Sequence, residues 1–175
     1  MIIIIIFILV VGVLAIAANK PDTFRVERTV VVKAPPEKIF PLINDFHHWV
    51  SWSPYEKMDP VMKRTYSGAP SGKGAVYEWE GNKKVGTGRM EITEALPPAK
   101  IILKLDFFAP FEGHHTGGFI LEARGEETFV VWYMQGLNSY MAKLMCLFVN
   151  MDHMIGKDFE VGLVNLKSVV ENSPL

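Results

Sequence analysis

The chain is poor in the features that most directly announce chemistry. It holds a single cysteine, Cys146, so no intramolecular disulfide can form and cysteine usage does not define a compartment. Set between Met145 and Leu147, that cysteine reads as a small core residue. HExxH and CxxC are both absent, as is the GxSxG elbow that would expose a serine nucleophile. Gly86 and Gly88 do not make GxGxxG ahead of a helix. Five histidines are present, with His47-His48 and His114-His115 as adjacent pairs. Neighbours in a strand point to opposite faces, so His114 and His115 do not suit one ion. No metal site and no cofactor is expected. Charge of one sign is also lacking: 18 Lys plus Arg face 19 Asp plus Glu, for a net charge of −1. That excludes a global basic field for nucleic acid. Internal repeats and low-complexity linkers are missing beyond a run of isoleucines at the start.

Polar side chains are absent from Ile2 to Ala18, IIIIIFILVVGVLAIAA. Seventeen helical residues span roughly 25 Å, the short end of a membrane-crossing length. The expectation is a single-pass N-terminal membrane anchor at 1–18, with a linker at 19–23, a domain over 24–171 and a tail at 172–175. The alternative is a secretory signal cut after Ala15-Ile16-Ala17, leaving a secreted or periplasmic domain, although no charged n-region precedes it.

The 175 residues, 49% of them hydrophobic, are enough for one domain with a real core. Phe24–Lys33 alternates, with Val26, Arg28, Val30 and Val32 on one face. Arg28 among apolar residues either reaches a sheet edge or a carboxylate, or faces a ligand cavity. Pro35-Pro36-Glu37 starts a short helix with Ile39, Phe40, Leu42 and Ile43 on its apolar side. Six further strands are predicted: Arg64–Ser67, Gly74–Glu80, Val85–Ala95, Lys100–Phe108, Gly113–Ala123 and Thr128–Gln135. Their short connections require antiparallel pairing. The last stretch, Ser139–Glu171, carries Leu144, Phe148, Met151, Ile155, Phe159, Leu163, Leu166 and Val170 at helical spacing. Gly156 is the expected kink, with Asp158 opening a second segment and Asn172, Ser173 and Pro174 ending it.

This order, with PPEKIF after the first strand, resembles the SRPBCC superfamily. The stretches WVSWSPYEKMDP (Trp49–Pro60), YSG (Tyr66–Gly68), GAVYEWEGNKKVGTGRMEI (Gly74–Ile92) and DFEVGLVNLK (Asp158–Lys167) are similar to its polyketide cyclase/dehydrase-like branch. The resemblance covers about Phe24 to Glu171. It implies an α+β helix-grip fold: a seven-stranded antiparallel sheet curled around a long C-terminal helix, with two short helices between strands one and two. It also implies an apolar cavity between sheet and helix that takes a hydrophobic small molecule or lipid.

The concave-face positions of the strands and the inner side of the helix nominate Trp52, Tyr77, Trp79, Met90, Phe107, Phe119, Trp132, Met134 and Phe159 as its lining. Aromatic and methionine side chains suit a flat or flexible apolar ligand. Binding of such a molecule beside a membrane is the leading expectation. A cyclase or dehydratase in the same cavity is the enzymatic alternative, for which Glu78, Glu80, Asp106, His114 and His115 are the candidate polar groups. The third reading is a structural or regulatory domain. It would work through the second apolar face of the last strand, Phe129, Val131 and Tyr133, which also offers a homodimer surface.

Overall fold

A computed structural model describes residues 2–147 and 150–172 of the chain. Phe148, Ser173 and Pro174, which the sequence places in or after the last helix, lie outside the described residues. The elements run α1 (Ile2–Ala18), β1 (Thr23–Val32), α2 (Pro36–Asn44), a 3-10 segment (Phe46–Ser51) and α3 (Pro54–Met58). Then follow β2 (Lys63–Gly68), β3 (Ala75–Glu80), β4 (Thr87–Leu96), β5 (Lys100–Ala109), β6 (Gly113–Arg124), β7 (Glu127–Leu137), α4 (Tyr140–Met145) and α5 (Met151–Asn172).

Alternating apolar and polar residues give strands with one buried side, and short turns pair them antiparallel. The result is one seven-stranded sheet in the order β1-β7-β6-β5-β4-β3-β2. Only β1 leaves sequence order: it is separated by α2 and α3 and closes against β7 with Arg28 opposite Trp132. Register shifts in β4, between Thr87/Gly88 and Ile92/Glu94, add bend. The concave face is then covered by α5, whose Phe159, Leu163, Leu166 and Val170 are buried. Each such side chain contributes about 1.5–3 kcal/mol by leaving water. This is the α+β helix-grip architecture.

The last helix breaks earlier than its sequence suggests. The gap falls between α4 and α5, and Gly156 lies inside α5. The cause is a cap: Asn150 Oδ1 accepts from the His153 backbone N at 3.0 Å, satisfying a free donor of the first turn. Gly156 serves close approach instead, because a Cβ there would overlap the Arg28 guanidinium. Arg28 itself is paired. Its Nε meets Glu160 at 2.7 Å and its Nη2 meets Asp152 at 3.1 Å, so it ties β1 to α5. The hydrogen bond from Arg28 holds the Asp152 carboxyl below its ordinary range.

The N-terminal expectation is corrected. Among the described residues no helix is long and apolar enough to cross a membrane. The 17 residues of α1 reach roughly 25 Å against about 30 Å of hydrocarbon. α1 packs against α4 instead: Tyr140 donates its hydroxyl to the Leu14 carbonyl at 3.0 Å, and Ala17 is fully buried. Lys143 of α4, itself buried, pairs with Asp22 just beyond α1. The transmembrane anchor, the membrane partner through residues 2–18 and the single-pass location are therefore set aside.

The outer face of β7 is also less open than its sequence implies. Tyr133 is buried beneath the Arg25 guanidinium, 4.5 Å from the ring centre, and Arg124 lies 4.4 Å over Phe129. These two cations of the chain itself lie over Tyr133 and Phe129, two of the three residues named for that face.

Candidate functional site

The nine nominated residues converge on the concave side of the grip. Eight of them, Trp52, Tyr77, Trp79, Met90, Phe119, Trp132, Met134 and Phe159, are buried; Phe107 is half-buried. At the centre the rings touch one another. Trp132 stacks on Phe159 at 4.1 Å and on Phe119 at 5.1 Å, and Trp52 meets Trp132 edge-on at 5.5 Å. The indole N–H of Trp52 donates to the Leu42 carbonyl at 2.9 Å, and that of Trp49 to Ile43 at 3.0 Å. So both indoles are satisfied in place. Trp49 and Trp52, three apart in the sequence, clamp the 3-10 segment onto β6 and β7.

The row two inward-facing steps nearer the start of β1 is different. It runs Phe24, Gly136, His115, Leu105, Met90 and Tyr77 across the strands. Phe24, His115 and Leu105 are half-buried, as is Phe107 beyond them. α5 begins beside Arg28, where Asp152 pairs with it. Phe24 lies four residues earlier on β1, about 13 Å further out. The concave face is thus sealed under α5 and less covered at this end. Phe24 and Leu105 were not nominated from the sequence. Their alternation places them on the inward face, but it carries no information about where the covering helix starts.

Two ionisable clusters flank the grip. Glu56 is buried; it accepts from the Tyr77 hydroxyl at 2.6 Å and from Arg64 Nε at 2.6 Å. Burial, reinforced by this hydrogen bond to Glu56, pushes the Tyr77 phenol well above its ordinary range. Nothing in the spacing of WSPYEKM signals that Glu56 points inward. Close by, burial raises both the Tyr55 phenol, further lifted by Asp158, and the Asp158 carboxyl itself.

The second cluster is on the outer face. Asp106 is buried, binding His114 Nδ1 at 2.7 Å and Lys104 at 3.0 Å. Burial alone would raise its carboxyl, but those two hydrogen bonds outweigh it and hold it low. The bond to Asp106 raises His114 above its ordinary 6.5. The stabilisation from His114 is thus complete below 6.5 and fades as pH rises through the higher folded value. That from Asp106 is present above 3.8 and fades as pH falls through its lowered folded value. In an NMR titration His114 is expected to titrate above 6.5, and Asp106→Asn should bring that midpoint down. A midpoint indifferent to the substitution would break the assignment. This cluster borders a hollow of about 930 Å³ whose lining includes Arg25, Lys104, His114 and Gln135 and also Phe24 and His115. A smaller one of about 220 Å³ lies between the 3-10 segment and the β2–β3 hairpin, against Phe46, His47, Tyr66 and Pro70. Glu78 and Glu80 sit on the outer face as well, paired in register with Thr65 and Lys63.

Among the described residues no group of three or more His, Cys, Asp or Glu side chains is arranged to hold a metal ion. No curated protein matches this sequence. Solved structures do share the fold. The Aha1 dimer from Colwellia psychrerythraea is 18% identical with a TM-score of 0.62, covering 85% of this chain and 97% of that one. Protein CV1439 from Chromobacterium violaceum is 16% identical at TM-score 0.60, covering 87% and 100%. The di-domain ARO/CYC BexL of the BE-7585A biosynthetic pathway is 16% identical at TM-score 0.64, covering 91% of this chain and 54% of its own. The family model described as polyketide cyclase / dehydrase and lipid transport matches residues 23–171. Its extent runs from the first residue of β1 nearly to the end of α5, and the chain belongs to that family.

Proposed function

We propose that this chain binds a hydrophobic small molecule or lipid against the concave face of its sheet, at the end where α5 does not cover the strands. The observation that carries this reading is the half-burial of Phe24, Leu105 and Phe107 on the inward row, beside a centre that is filled. Of the nominated residues, Met90, Phe107, Met134 and Trp79 form the floor of that space. Trp52, Phe119, Trp132 and Phe159 hold helix to sheet behind it. Apolar walls with few polar groups suit ligands that partition out of water. The family's description, which includes lipid transport, points the same way.

Naphthalene added to the full chain is expected to shift the NMR signals of Phe24, Leu105 and Phe107 saturably. Shifts confined to α1, or none, would overturn the proposal. A cyclase or dehydratase would need two polar groups free to meet the ligand. Glu56 and Tyr77 are engaged with each other, and Glu56 also with Arg64.

A further inference from the structure

Among the described residues two buried side-chain polar atoms lack a hydrogen-bond partner, Asn44 Oδ1 and His115 Nδ1. The second lies on the inward row of the sheet. A nitrogen sealed from water without a partner is disfavoured, and an apolar side chain would fill the same place without that penalty.

The fold nevertheless makes specific room for this ring. Phe24 meets it edge-on at 5.0 Å, and Phe107 lies 5.8 Å away at 49°. On either side the sheet carries glycine. A Cβ on Gly113 would stand 2.8 Å from Nε2, and one on Gly136 would overlap Nδ1. The imidazole therefore occupies the space left by Gly113 of its own strand β6 and Gly136 of β7.

Its protonation follows from those surroundings. Burial, helped by the neighbouring His114, lowers the pKa of His115 below 6.5, so the ring is neutral at pH 7 and carries one proton. On Nδ1 that proton would be a buried donor with no acceptor. Nε2 is not sealed in this way, so the proton belongs there. The ring then offers one N–H to the space in front of the sheet. Among the described residues the nearby cations are engaged, Arg28 with Asp152 and Glu160, Arg25 with Glu27, and Lys104 and His114 with Asp106, so none stands unpaired beside the ring for a carboxylate.

We propose that His115 is the polar contact of the ligand-binding space, donating from Nε2 to a neutral carbonyl oxygen of an otherwise apolar ligand. The ligand class is thus a ketone, ester or similar carbonyl-bearing hydrophobic molecule, in preference to a pure hydrocarbon or an anion. This rests on the ligand-binding reading above.

The test compares 2-acetylnaphthalene with 2-isopropylnaphthalene, which share shape and differ in the acceptor oxygen. Both are titrated into the full chain and into His115→Phe and His115→Gln. The ketone-to-hydrocarbon affinity ratio is expected to fall about three- to tenfold in His115→Phe, the size of one net hydrogen bond, while hydrocarbon affinity is kept. His115→Gln, which retains a donor, should recover part of the ratio. An equal ratio in wild type and His115→Phe overturns the role of His115 and leaves ligand binding standing. Failure of both probes to bind the wild type removes the ligand-binding reading, and this proposal with it. A readout independent of any variant is the tautomer. Nitrogen-15 NMR of the wild type at pH 7 should show the Nε2–H form. An Nδ1–H form or an imidazolium overturns the proposal.

Discussion

Trp132→Ala is expected to destabilise the domain by about 3–5 kcal/mol, the range for removing a large aromatic from a packed core. The indole is 4% exposed and meets four aromatic partners, Phe159, Phe119, Trp52 and Trp49. It also fills the groove left by Gly162 of α5, where a Cβ would come within 2.6 Å of Cζ3. Sheet and helix meet at this side chain, alongside the Arg28 ion pairs to Asp152 and Glu160. Urea denaturation followed by circular dichroism measures the loss. For a domain of this size the melting temperature should drop by roughly 10 °C. Naphthalene affinity should change far less than stability, because Trp132 belongs to the filled centre and not to the less covered end. A stability loss under 1 kcal/mol with a large affinity loss would reverse the two assignments and make Trp132 a ligand contact.

Glu56→Ala should destabilise by a similar amount, about 3–5 kcal/mol, by a different mechanism. The Glu56 side chain is only 5% exposed and the Arg64 side chain 22%, so the pair is substantially shielded from water. Truncation leaves the Tyr77 hydroxyl and Arg64 Nε without their carboxylate, and unpaired buried donors are penalised more than the intact pair gains. Arg64 retains its bond to the Met62 carbonyl at 2.8 Å, which limits the damage. The diagnostic measurement is a double-mutant cycle. The loss in Glu56→Ala combined with Arg64→Met should be well below the sum of the two single losses, since the second change removes the stranded charge. Strict additivity would show that Glu56 acts through Tyr77 alone.

Local patterns settled most of the fold. Alternation marked seven strands, turn residues marked the connections, and the period of Phe159, Leu163, Leu166 and Val170 marked the inner side of α5. These signals are short in range, and each residue carries its own part of them. The motif stretches from Trp49 to Lys167 carried the family, because a family pattern is itself written residue by residue. The gathering of nine aromatic and methionine residues on one side of the sheet was legible too, since pairing antiparallel strands aligns their inward faces.

Other features depend on distances between segments far apart in the chain, and only the tertiary structure decided them. Whether Gly156 kinks a helix or receives Arg28 turns on β1, more than a hundred residues away in sequence. Glu56 looks like a solvated helix residue until Tyr77 and Arg64 close over it. The apolar run at Ile2–Ala18 reads as a membrane span by composition, yet at 17 residues it falls short of one and docks on α4. His114 and His115 are equivalent in sequence. The pleat sends one to Asp106 on the outer face and the other inward between Phe24 and Phe107. Composition sets how much apolar surface must be hidden. Which residues are left half-covered at the end of the grip depends on where α5 begins, and that is fixed by the Asn150 cap and the Arg28 ion pairs.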